Sequence, residues 1–498
     1  MKLLIFCSLV SLAVSANIFG YSVVPSPSHH NAIYNILNKL AEKGHNITYI
    51  TPFPKNNTLM HEVDTSFTVE VYADLLRSLK MDHFVDLIWA CFHIMDTLSE
   101  SVIKMENVRT IFSQKFDVII IENITPLTYS IGLVNEAPII TYSSLPGFLN
   151  THDALGNPIH PVLSPNFILQ SGRRPTFWHR LISTLHDPVF RLLYKYHNVP
   201  KCNKIVQKYF GDNLPSLTEV EKNISLGLFN RNFVFDEIRP SVPAAVDISS
   251  AHINPPKKLP KDIKDFMDSS KNGVVYFSFG TTALSYYLTK HKMPMIIESL
   301  SSLPYDVLFK HSEPMVVPKN FMVRDWLPQQ DVLAHPNVKV FICQGGRQSL
   351  EEAVYNGVPI LTLPIMGDQI QNAINLEDKE LGLKLDIQTV SRETLTKTIV
   401  EVATNKKFRQ NAIKMSKILR DHPMSGLETA VWWIEYVLRH KGTEHIKSGF
   451  IDMPFYQYYL LDVMGFILVA AICLFMISFT IFRFIRKNMC KRDKLKEQ

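Results

Sequence analysis

The stretch FICQGGRQSLEEA, residues 341–353, decides how the rest of the chain is read. The apolar run KVFIC (339–343) stops at Gln344, two glycines follow, and a segment with polar and acidic positions sets off as a helix. In an open parallel sheet, ligands collect at the carboxyl ends of the strands, where helix N-termini offer unpaired backbone N–H groups and partial positive charge. Gly345 and Gly346 stand at such a junction. Without side chains they let an anionic group approach the backbone, which describes a diphosphate cradle, with Gln344, Gln348 and Ser349 as further hydrogen-bond donors. Glu352, one turn into the helix, can accept from a pair of sugar hydroxyls. A lone Gly-Gly pair is more often a tight connection that needs glycine for its dihedrals, so the surroundings decide.

Outward from this turn, GVVYFSF (273–279) and VPILTLP (358–364) join KVFIC as short buried-type strands, each followed by a turn and a helical pattern. They predict one parallel sheet. A second sheet opens the chain. IFGYSVV (18–24) reads as a strand broken by Pro25 and Pro27 before His29, and Ile33, Ile36, Leu37 and Leu40 form one helical stripe that Gly44 ends. NITYIT (46–51) is the next strand, and FDVIII (116–121), followed by Glu122, a later one. Residues 150–210 carry Phe177, Trp178, Leu181, Leu185, Phe190, Leu192, Leu193 and Tyr194 without strand alternation. Helices are expected there, packed in the core or facing an acceptor entrance or a membrane surface. The proline- and lysine-rich NPPKKLPKD, 254–262, is the expected linker.

With 498 residues, 46% hydrophobic and 20% charged, the chain is long enough for two substantial folded domains. Residues 1–16 read as a cleavable secretory signal. Val463–Phe482 contains no charge and is long enough to cross a hydrocarbon core of ~30 Å. Seven basic and two acidic residues follow it, a tail of +5 within a chain of +6. Positive residues stay cytoplasmic, so the body is expected to be lumenal and near neutral, which argues against a nucleic-acid partner. Lys494 and Lys496 fit a dilysine retrieval signal of the endoplasmic reticulum, giving a type I, single-pass protein of that membrane. Cys91, Cys202 and Cys343 make no disulfide framework. Asn46, Asn56, Asn123 and Asn223 each begin an N-x-Ser/Thr triplet.

WLPQQDVLAHPNVKVFICQGGRQSLEEAVYNGVPILTLPIMGDQIQN, residues 326–372, resembles the signature of the UDP-glycosyltransferase superfamily, in wording closest to its membrane-bound insect members. GVVYFSFGTT, PSPSHH and the signal, span and basic tail extend the resemblance over nearly the whole chain. It implies an α/β GT-B fold, two Rossmann-like domains facing across a cleft: 17–253 for the acceptor and 263–442 for the UDP-sugar, then a juxtamembrane segment 443–462, the span 463–482 and the tail 483–498. By position, Trp326 and Gln329 lie where uracil is recognised and Glu352 where the ribose is held. Thr281, Gln344, Gln348 and Ser349 surround the diphosphate, and Asp368 and Gln369 read the sugar. An indole face stacks a base and carboxylates suit vicinal hydroxyls, although Trp326 as a core anchor and Asp368 as a helix N-cap are the structural alternatives.

The resemblance places the general base at His29 rather than His30. Its position beside a helix N-terminus predicts a ring held neutral by the dipole. Glu122 stands where most members have an Asp that orients this histidine. If Asn123 lies beside it in the cleft, that triplet is not glycosylated. Gln344 replaces a common His, and Asn230, with Arg231 next to it, stands where glucuronate users place an Arg, which favours UDP-glucose. The expected reaction is an inverting transfer of a hexose to a hydroxyl of small lipophilic acceptors, of the kind used in detoxification. The chain has no Asp-x-Asp, and neither a metal nor a resident cofactor is expected. The alternative is a membrane-tethered UDP-sugar or lipophile binder without turnover; a homo-oligomer is left open.

Overall fold

The computed structural model describes residues 15–78, 84–166, 169, 174–280, 290–365 and 367–496. The expected signal, apart from Ser15 and Ala16, and the expected diphosphate residue Thr281 lie outside them.

Two all-parallel sheets organise the chain. The first holds β1 (Asn17–Tyr21), β2 (Asn46–Thr51), β3 (Met60–Asp64), β4 (Val118–Glu122), β5 (Ile139–Ser143), β6 (Ile224–Phe229) and β7 (Ala245–Asp247) in the order β3-β2-β1-β4-β5-β6-β7. The second holds β8 (Val274–Ser278), β9 (Asp306–Lys310), β10 (Phe321–Arg324), β11 (Val338–Cys343), β12 (Ile360–Thr362) and β13 (Gly382–Lys384) in the order β10-β9-β8-β11-β12-β13. The central strands are buried on both faces, which is why VIIIE and VVYFS read as apolar runs rather than alternations. Such two-sheet, doubly wound α/β architecture is the GT-B fold.

Chain order reverses between β1 and β4 in the first sheet and between β8 and β11 in the second. At each reversal the flanking helices leave to opposite faces, and a crevice opens at the carboxyl ends of the strands. The helix Pro27–Glu42 begins with Pro at its first turn, buries Ile33, Ile36, Leu37 and Leu40 against the first sheet, and thereby fixes His29, which lies in the first turn of this helix rather than in the loop expected from the sequence, above the β1/β4 reversal.

No strand or helix occurs between Asp247 and Lys261, the stretch containing the expected linker. The helix Gly426–His440, inside the span expected for the UDP-sugar domain, inserts Ala430, Val431, Ile434 and Val437 into the core of the first sheet. Its start is a capping box, Ser425 with Glu428. In the 150–210 region the helix Phe177–Leu193 turns Phe177, Trp178, Ile182, Leu185, Val189 and Leu192 outward rather than into the core. Cys202 and Cys343 are buried free thiols. Asn46, Asn56 and Asn223 are exposed, whereas Asn123 is buried and donates to Thr151, so its triplet is closed to a glycan in the folded protein.

Residues 448–498 form a separate unit. Within it the helix Leu461–Lys496 is apolar and long enough over Leu461–Asn488 to cross a bilayer.

Candidate active site

Glu122 is the last residue of β4, and the first turn of the helix that follows β1 presents His29; parallel pairing of β1 with β4 brings together two residues 93 positions apart. His29 Nδ1 lies 2.5 Å from Glu122 Oε1. Ser22 donates to the other carboxylate oxygen, and Ser144, just past β5, bridges the pair at 2.9 Å to Nδ1 and 3.2 Å to Oε1. Glu122 is 1% exposed and His29 19%, so the carboxylate is sealed while the imidazole reaches the cavity. With Nδ1–H donated to Glu122, Nε2 carries the lone pair.

One expectation is corrected here. Burial does lower the His29 pKa, yet the Glu122 carboxylate outweighs it and the net shift is upward from the ordinary value. A partly solvated helix terminus is a weaker influence than a full charge in hydrogen-bond contact. Burial alone would raise the Glu122 carboxyl, but His29 and Ser22 bring it below its ordinary value. His30 has the opposite environment: it is 4% exposed, bonded to Tyr49 Oη at 2.6 Å and the Val24 carbonyl at 2.8 Å, and burial lowers its pKa to about 4. Among the described residues no group of three candidate ligands could hold a metal ion.

The cavity in front of His29 has a volume of about 450 Å³ and is walled on the far side by the second sheet. The two glycines of the turn divide their duties. Gly345 has φ +88°, and a Cβ there would lie 3.1 Å from the Gln369 carbonyl, so the connection itself requires glycine. Gly346 has φ −63° and only Gln344 Nε2 at 3.7 Å from a built Cβ; it lines the cavity at the start of the helix Arg347–Tyr355. Its bareness serves the space in front of it.

Gln329 donates to Glu352 Oε2 at 2.7 Å and Ser349 Oγ at 3.0 Å, and accepts from Tyr276 at 3.1 Å. Gln330 donates to Glu352 Oε1 at 3.1 Å. Glu352 is thus oriented by two amides, and His252, 1% exposed, lies 3.4 Å behind it. Trp326 is 62% exposed, which removes the core-anchor alternative; Lys310 lies 5.3 Å from its ring centre and donates to the Gly280 carbonyl. Asp368 occupies the N-cap position of the helix Gln369–Asp378 without capping it, and accepts from Asn372 at 2.7 Å. Burial raises its pKa, and it lies within electrostatic reach of His29 across the cleft.

Gln344, Asp368 and Gln369 line the same cavity, so the structure brings together every expected residue that it describes except Gly345, which sits in its wall, and the sealed Glu122. Gln348 does more than line it: its amide donates to the Ser28 carbonyl and accepts from Asn31 at 3.5 Å, joining the first turns of the helices Arg347–Tyr355 and Pro27–Glu42. The sequence reading missed Ser22, Ser144, Lys310 and Gln330. Ser144 and Lys310 stand at or just past strand ends at the ligand-binding edge, a position that would have nominated them had β5 and β9 been recognised. Asn230 is buried, bonded to the Ser144 carbonyl at 3.3 Å, and the Arg231 guanidinium is turned to Asp247 at 2.8 and 3.1 Å.

A histidine–carboxylate pair facing a glycine turn across two doubly wound sheets is an arrangement suited to a glycosyltransferase of the GT-B class. Residues 22–496 match the family model described as UDP-glucoronosyl and UDP-glucosyl transferase, and the chain belongs to that family. It is 34% identical to UDP-glycosyltransferase UGT5 of Dactylopius coccus over 95% of this chain and 92% of that one. It is 26% identical to human UDP-glucuronosyltransferase 2B7 over 92% of each. Among solved structures, Os79 from O. sativa superposes with TM-score 0.57 at 15% identity, covering 84% of this chain and 100% of that one, a likeness of fold. The protein is a UDP-glycosyltransferase, an enzyme of sugar transfer.

Proposed function

We propose that the enzyme transfers glucose from UDP-glucose, with inversion, to a hydroxyl of small lipophilic molecules, without a metal ion. The observation that carries this reading is the His29–Glu122 pair, sealed on its carboxylate side and open at Nε2. As the acceptor oxygen attacks C1 of the sugar from the His29 side, its proton passes to Nε2, the bond from C1 to the diphosphate oxygen breaks, and UDP leaves toward the glycine turn. Glu122 stabilises the imidazolium that forms. Trp326 stacks the uracil, Gln329 bonds it, and Glu352 accepts from the ribose. Gly345, Gly346, Gln344, Ser349 and, beyond the described residues, Thr281 surround the diphosphate, and Asp368 and Gln369 hold the sugar hydroxyls. Gln348 joins the diphosphate set once the Ser28 contact is exchanged. The acceptor domain is 17–253, the linker 254–262 and the donor domain 263–442, whose last helix, Gly426–His440, packs on the acceptor domain's sheet, with the body on the lumenal side of the endoplasmic reticulum membrane.

Glucose is favoured over glucuronate because Asn230 is neutral and Arg231 lines the neighbouring smaller cavity rather than this one. A donor-by-acceptor screen on microsomes expressing the chain tests this. Faster turnover with UDP-glucose is expected, and faster turnover with UDP-glucuronate would contradict the choice.

A further inference from the structure

Next to the donor cavity lies a second one of about 230 Å³. Their walls are continuous along the chain: Ser144 and Leu145 face the larger space, Pro146 and Gly147 the smaller. The smaller cavity has aliphatic walls at Leu149, Ile159 and Leu163, and two guanidiniums, Arg231 and Arg239, line it.

Arg231 is 8% exposed; Asp247 takes its Nε and Nη2, and among the described residues its buried Nη1 has no hydrogen-bond partner. Arg239 Nη2 donates to the Pro146 carbonyl at 3.2 Å and lies 2.9 Å from His152 Nε2, while its buried Nε likewise has no partner among the described residues. Burial lowers the Arg239 pKa only to about 10, leaving it cationic at neutral pH. The adjoining His152 is uncharged, because burial and both arginines push its pKa well below the ordinary value. The carboxylates that line the space do not satisfy these donors. Asp236 gives both oxygens to Arg347, Asp187 is bonded to His186 at 3.0 Å, and Glu237 is exposed at the rim.

A buried polar donor left unpaired is destabilising, the more so when it is charged. Two of them on one apolar-walled cavity match a ligand that supplies anionic oxygens on a hydrocarbon body. We propose that this cavity is a second ligand site, for a lipophilic carboxylate whose oxygens accept from Arg231 Nη1 and Arg239 Nε while its apolar part lies against Leu149, Ile159 and Leu163.

The test uses the full chain in detergent, with UDP saturating the donor cavity, and compares binding of 1-naphthoate with that of 1-naphthamide by calorimetry. Naphthoate should bind at least tenfold more tightly than the amide. R239Q should abolish that preference with UDP affinity unchanged. D247N should strengthen naphthoate binding several-fold, because it leaves one acceptor oxygen in place of two and removes the carboxylate charge that competes for Arg231, a gain that a damaged fold would not produce. Equal affinity for acid and amide in the parent would overturn the site, as would R239Q protein that binds UDP and keeps the preference; water alone would then serve these donors. If R239Q protein fails to bind UDP, D247N decides, and no gain in naphthoate affinity overturns the proposal. Because only binding is read, the outcome does not depend on the sugar-transfer mechanism.

Discussion

Adjacent histidines of one helical turn are separated by which carboxylate or carbonyl each one meets. His29 meets Glu122, which raises its proton affinity, so the fraction with a free Nε2 grows as pH rises through that raised pKa. kcat/KM should rise along the same limb. In E122Q the carboxylate is gone and burial remains, so the limb should move to lower pH while the rate falls roughly tenfold or more; an unmoved limb would show that Glu122 does not set the base. His30 is the reverse case. Its folded pKa of about 4 lies below the unfolded ~6.5, so the unfolded chain takes up its proton first and stability present above ~6.5 is lost as pH falls toward 4. H30Q should flatten that part of the urea-midpoint profile, cost about 1–3 kcal/mol through lost buried hydrogen bonds, and leave UDP affinity as it was.

At the scale of elements, the turn between β11 and its helix carries a structural and a functional glycine side by side. G345A forces a positive φ and crowds the Gln369 carbonyl, and should destabilise the fold by about 1–3 kcal/mol in a denaturant titration. G346A meets little, so stability should stay within about 0.5 kcal/mol while UDP binding weakens as the methyl enters the cavity. Equal effects on stability would contradict the division. The turn was legible in FICQGGRQSLEEA because a strand ending in a glycine pair before a helix has few other geometries. β3, β5, β6, β7, β9, β10 and β13 were not, being three to six residues long and lacking an apolar run distinct from their surroundings. The helix Phe177–Leu193 was legible as a helix, but its amphipathic pattern could not tell which way the apolar face would turn.

The whole molecule is held across the cleft by contacts that sequence periodicity does not encode. Arg347, beside the glycine turn, gives its guanidinium to Asp236 and its Nε to Glu351 at 2.8 Å, and these partners lie 111 and 4 positions away. The helix Gly426–His440 returns from the second sheet's side of the chain to bury Ile434 in the first sheet's core. I434A should therefore cost about 2–5 kcal/mol and lower the unfolding midpoint of the entire body rather than of the second half alone. Two separated transitions would show that the helix does not couple them. Pairings at such range depend on the completed fold, whereas the position of Glu122 was readable because it closes the apolar run FDVIII, and parallel topology fixes where such strand ends meet.

The central claim is that an imidazole on one sheet, open at Nε2, takes the acceptor proton while the other sheet holds the activated sugar. Single-turnover rates of H29A, measured on protein shown by titration to bind UDP as the parent does, test it most directly. The account predicts a loss of roughly 10²–10⁴-fold in the transfer step. Transfer at the parent rate would contradict it.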